Sequence, residues 1–118
     1  MAPDSTEQAL AVVTIPPSLE SQFVDWLLGL EFTAGFSSVA INGHGARHDH
    51  LSIAEQVVGR QRRLQFQVAL DRIYLDEFLC ALAGEFATAD VHYWVMSLLE
   101  TGSLGLPDPE PEPEPAIA

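Results

Sequence analysis

Two periods of apolar residues divide the chain. Residues 9–15 (ALAVVTI) are almost wholly apolar and end β-branched, which predicts a strand buried on both faces that stops at Pro16 and Pro17. Phe23, Trp26, Leu27 and Leu30 then recur at helical spacing, with Ser18 in place for an N-cap and Glu20 in the first turn, so a short amphipathic helix is expected. Residues 36–42 (FSSVAIN) suit a second strand. Residues 63–70 (RLQFQVAL) alternate cleanly, with Leu64, Phe66, Val68 and Leu70 on one face and Arg63, Gln65 and Gln67 on the other. A second helix is predicted from Ile73 to Phe86, where Leu75, Phe78, Leu79, Leu82 and Phe86 form the stripe and Asp71 serves as cap. The last strand is Val91 to Leu98 (VHYWVMSL).

The order βαββαβ predicts an α+β, ferredoxin-like fold: a four-stranded antiparallel sheet with both helices on one face and the other face free. A chain of 118 residues that is 47% hydrophobic supports one domain. Its expected span is 9–106, between a flexible N-terminus (1–8) and a disordered tail (107–118). From Pro107 to Pro115 that tail alternates proline with acid (PDPEPEPEP), a pattern that stays extended and aids solubility, with docking to a basic partner as its lesser reading. If the back of the sheet carries Tyr93 or Trp94 with residues of the Phe66 class, it exposes an apolar patch, and oligomerisation is the expected remedy. The alternative turns Trp94 toward the helices, because strand phase is not fixed by sequence.

Charge narrows the partners. The net charge of −12, without a single lysine, excludes general nucleic-acid binding, which needs a basic face to neutralise phosphates. Cys80 is the one cysteine, so no disulfide framework or CxxC metal knuckle exists, and within its apolar stretch it reads as a small core hydrophobe. No apolar run approaches the ~20 residues of a membrane-spanning helix, and the first residues are acidic where a secretory signal is basic. A cytoplasmic protein without membrane insertion is expected.

Against that background, the stretch 43–63 (GHGARHDHLSIAEQVVGRQRR) holds four of the five basic residues and three of the four histidines. His44, His48 and His50, with Asp49 among them, have a spacing at which a loop brings imidazoles and a carboxylate around a borderline ion such as Zn, Co or Cu; solvated loop histidines are the plain alternative. His92, beside Tyr93 and Trp94, is a further ligand or a structural histidine. Gly59 allows close backbone approach, and Arg60, Arg62 and Arg63 offer forked hydrogen bonds to phosphate, or else pair with acids of a neighbouring subunit. Alternation sends Arg62 and Arg63 to opposite sheet faces. Residues 51–58 suit a helical turn capped by Ser52 with Glu55 as capping-box partner. Nothing resembles a nucleophile with its base, an HExxH pair or a GxxxxGK loop, so no enzymatic activity is expected.

The element order, the long loop between strands two and three, Gly43-His44-Gly45 at its start, Arg47-His48, the run LSIAEQVVGRQRR from Leu51 to Arg63, and His92-Tyr93-Trp94 together resemble the PII-like signalling proteins. More closely, residues 9–104 resemble a small PII-like family of uncharacterised function encoded beside heavy-metal efflux pumps. The resemblance implies a homotrimer whose sheets line a central core, a T-loop over about 43–62 that contacts a target, and intersubunit clefts that take ATP or ADP near the loop base. Gly43, Gly45, Arg47, Gly59, Arg60, Gln61 and Arg62 are the residues it sets near phosphate. Residues 86–91 (FATADV) lack the glycine-rich or lysine-containing loop that precedes the last strand in nucleotide-sensing PII proteins. The functional expectation is a trimeric regulator tied to transition-metal homeostasis or efflux, sensing a metal through its histidine-rich loop, with a membrane transport component as partner. A nucleotide switch without metal and a passive trimeric scaffold are the alternatives.

Overall fold

The computed structural model describes residues 7–44 and 60–105, with the backbone alone at Ala34 and Arg60. Four strands, β1 (Gln8–Ile15), β2 (Thr33–His44), β3 (Arg60–Asp71) and β4 (His92–Leu98), form one antiparallel sheet in the order β2-β3-β1-β4. Helices α1 (Glu20–Leu28) and α2 (Leu75–Phe86) complete the βαββαβ order expected from the periodicities. Among the described residues no helix is long and apolar enough to cross a membrane.

The core lies between the helices and one sheet face. Ala11, Val13 and Ile15 of β1 and Phe66, Val68 and Leu70 of β3 meet Phe23 and Leu27 of α1 and Phe78, Leu82 and Phe86 of α2. Burial of these large side chains supplies the main driving force, at about 1.5–3 kcal/mol each. Aromatic rings fill the space between the layers: Phe23 meets Phe66 edge-on at 4.8 Å, and Trp26 meets Phe86 at 5.3 Å with an interplanar angle of 86°. On β1 the opposite face is also closed, since Val12 and Thr14 are buried.

Several local expectations are corrected. Ser18 does not cap α1: Pro17–Leu19 forms a short 3-10 turn, because the two prolines fix an extended entry and a tight first turn, and α1 begins at Glu20 with Leu19 before it. Likewise Asp71 precedes a 3-10 turn (Arg72–Tyr74), makes no capping bond, and instead accepts a hydrogen bond from the Gln8 side chain, so α2 starts at Leu75. Cys80 is exposed on α2 rather than in the core. Phe66 faces the helices. Tyr93 pairs with Val13 on the helix side and Trp94 with Val12 on the helix-free side, which sets the phase of β4 and overturns the inward-facing alternative for Trp94.

The hairpin β2–β3 is longer than the apolar alternation suggests. It pairs without interruption from Phe36↔Val68 to His44↔Arg60, whereas β1 ends at Ile15↔Leu64. Residues 41–44 and 60–63 therefore project past the sheet as an arm. At its other end a bulge falls between Thr33 and Phe36, where Gly35 takes φ 136°, a conformation open to glycine and strained for other residues.

Candidate functional site

Where the arm leaves the sheet, the helix-free face is hollowed into a concavity of about 540 Å³. Gly43 and His44 come to it from β2, Gln61 and Arg63 from β3, and Thr14 from the end of β1. The start of β4 closes the far side with His92, Tyr93 and Trp94. The two aromatic rings are half-exposed, at 51% for Tyr93 and 48% for Trp94. Strand pairing explains this gathering: the antiparallel register puts the end of β1, the start of β4 and the base of the arm at one end of the sheet.

Arg63 holds the floor. Its side chain is 6% exposed. From β3 it reaches the end of β1 and the turn before β4, where Nη2 donates to the Thr14 carbonyl at 2.8 Å and to the Asp90 carbonyl at 2.7 Å. Nη1 donates to Asp90 Oδ2 at 3.0 Å, which makes the contact an ion pair. Three segments distant in sequence are thus tied by one guanidinium, whose planar fork suits several acceptors at once. Its Nε is buried without a hydrogen-bond partner among the described residues. Gly43 faces the stem: a Cβ at that position would lie at contact distance, 3.4 Å, from Arg63 Cδ.

Asp90 joins Arg63 to His92, whose Nε2–H donates to Oδ1 at 2.9 Å. Burial alone would raise the Asp90 carboxyl, but the Arg63 guanidinium and the His92 hydrogen bond outweigh it and hold the group below the usual aspartate range. The hydrogen bond also selects the tautomer of the neutral ring, in which the proton on Nε2 leaves the lone pair on Nδ1.

Of the residues singled out in the sequence, Gly43, Gln61 and His92 meet on this concavity, and His44 borders it, its side chain on the other face of β2 by alternation with Gly43. Arg62 lies on the other side of β3, by alternation with Leu64, and lines a separate hollow of about 330 Å³ with Pro17 and Asn42. Arg60 pairs with His44 at the outermost described position of the arm. Gly45, Arg47, His48, Asp49, His50 and Gly59, together with the helical turn read over 51–58, lie outside the described residues. Among the described residues no three His, Cys, Asp or Glu side chains converge on a point where a metal ion could sit. Arg63 pairs with Asp90 of its own chain. Sequence reasoning missed Asp90 altogether; an acid in the turn two residues before His92 was the available signal.

The ferredoxin-like sheet whose β2–β3 hairpin projects as an arm is a fold shared with a PII protein. A Bacillus subtilis GlnK–ATP complex aligns with a TM-score of 0.50 at 14% identity, over 79% of this chain and 85% of that one. The chain belongs to the family described as "Protein of unknown function (DUF3240)", which it matches over residues 5–105. The crystal structure of a DUF3240 family protein from Shewanella baltica OS155 is similar, with a TM-score of 0.68 and 28% identity over 85% of this chain and 98% of that chain. A Bacillus cereus protein related to NIF3 shares the fold at a TM-score of 0.60 and 16% identity, and 83% of this chain corresponds to 27% of that protein. No curated protein matches the sequence.

Proposed function

We propose that the protein is a PII-type regulator, a homotrimer that takes a small effector at the base of the β2–β3 arm and passes its occupancy to a partner through loop 45–59. The observation that carries this reading is the concavity at the arm's root, where His92 and its Asp90 hydrogen bond stand beside the strand positions that lead into residues 45–59. The Asp90 hydrogen bond prepares His92 to ligate Zn, Co or Cu through Nδ1 as one member of a tetrahedral set. His48, Asp49 and His50, in the loop that continues from His44, are the proposed source of the remaining ligands. Metal binding then changes the fit of residues 45–59 to a component of metal transport, which makes the protein a cytoplasmic regulator of transition-metal homeostasis. It performs no catalysis in this reading.

A second reading takes ATP or ADP as effector. It is favoured by the fold shared with a GlnK described as an ATP complex and by Arg62 lining the hollow beside the arm. Calorimetric titration of the full chain with Zn2+, Co2+, Cu2+, ATP and ADP separates the two. Under the metal reading, a His44→Ala, His92→Ala double variant loses the metal isotherm and keeps its fold. If only nucleotide binds, and Arg62→Ala weakens it about tenfold or more through the loss of a charge-assisted hydrogen bond, the second reading replaces the first. Absence of any isotherm with the wild-type protein leaves a trimeric scaffold.

A further inference from the structure

On the helix side, α2 and the start of β4 leave a groove of about 170 Å³ lined by apolar residues. Leu79, Leu82, Ala83 and Phe86 form its helical wall, and Val91 and Tyr93 the opposite one. The segment that follows β4 poses the complementary problem. Leu99 and Leu104 are fully exposed, at 102% and 98%, although large aliphatic side chains gain from burial. The leucines do not fill the groove of their own chain. Leu99 stands six residues beyond Tyr93 along an extended strand, roughly 20 Å at ~3.3 Å per residue, and Leu104 is placed with its side chain in solvent.

We propose that residues 99–104 of one copy of this chain act as a clasp that seats Leu99 and Leu104 in the α2–β4 groove of a second copy. The inference rests on the multi-subunit assembly proposed above. Because clasp and groove are different surfaces, each copy gives one and receives one, and such head-to-tail contacts close into a ring when the rotation allows. Tyr93 gives the contact a functional consequence. It lines the groove on one side and the concavity at the arm's root on the other, so a seated clasp fixes one wall of the neighbouring copy's effector site.

The test uses the full chain in a dilution series followed by sedimentation. Leu99→Ser with Leu104→Ser, and separately Ala83→Glu, alter exposed positions outside the core, so far-UV circular dichroism of both variants is expected to match wild type. Both variants are expected to associate more weakly, the serine variant by at least about tenfold per leucine removed. An equimolar mixture of the two is expected to associate more tightly than either alone, because it pairs an intact clasp with an intact groove. Wild-type association in both variants, or no gain on mixing, overturns the clasp and leaves the assembly standing. A wild-type protein that stays monomeric at every concentration overturns both.

Discussion

Replacing Arg63 by alanine removes the tie that holds β3, the end of β1 and the turn before β4 together. The lost interactions are two short donations to backbone carbonyls at 2.8 and 2.7 Å and a 3.0 Å ion pair. Breaking a buried pair by removing one partner costs about 3–5 kcal/mol. The lower end applies, since Asp90 remains 29% exposed and keeps His92, so its carboxylate is left neither dry nor without a partner. About 3 kcal/mol then lowers the urea midpoint by roughly 2 M at ~1.5 kcal/mol/M, and the melting temperature by roughly 12–24 °C. The assay is urea unfolding by far-UV circular dichroism at one fixed protomer concentration, because association adds to apparent stability. Arg63→Met restores the stem and removes the unpartnered Nε, so it falls between alanine and wild type. A double-mutant cycle with Asp90→Asn isolates the pair, with a coupling of about 1–3 kcal/mol expected. An Arg63→Ala variant within about 1 kcal/mol of wild type refutes the reasoning.

Asp90 makes the same tie sensitive to acid. Its carboxyl is held below the usual range, so its stabilisation is complete above ~3.9, the ordinary aspartate value, and is lost as pH falls through the lower value of the folded state. Urea midpoints measured between pH 5 and 3 are expected to fall more steeply for wild type than for Asp90→Asn, and parallel curves would contradict this. Gly35→Ala is expected to cost about 1–3 kcal/mol by chemical unfolding: no atom lies within 4 Å of the new Cβ, so the penalty is that of φ 136° alone. Deleting residues 107–118 is expected to leave the melting temperature unchanged, since proline alternating with acid has no apolar surface to bury.

Legibility in the sequence followed the burial of apolar side chains. Leu64, Phe66, Val68 and Leu70 alternate because one face of β3 meets the helices, and Phe23 with Leu27 recur because one face of α1 does, so both could be read directly. The arm could not. Asn42, Gly43, Gln61 and Arg62 have no apolar period, and their pairing follows from hairpin register propagated outward from the core. The phase of Trp94 depends on Val12, a neighbour on another strand, and Ser18 and Asp71 were displaced as caps by 3-10 turns that a search for helix starts does not distinguish. Four residues that line the concavity, Gly43, His44, Gln61 and His92, could be picked out from the sequence. Asp90 was not, because the ion pair that gives it meaning spans 27 residues and exists only after the sheet has formed.

The overhang of the hairpin beyond β1 has a mechanical meaning. Four residue pairs, from Ile41↔Arg63 to His44↔Arg60, stand clear of the third strand, so a rigid two-stranded beam extends roughly 13 Å from its support. Rotating such a beam by about 10° moves its tip by roughly 2 Å, enough to make or break a hydrogen bond with whatever lies there. Arg63 sits at the fulcrum, bonded to the fixed part of the sheet on one side and carried by the beam on the other. A change of less than an ångström around its guanidinium therefore appears, multiplied, at the far end of the lever.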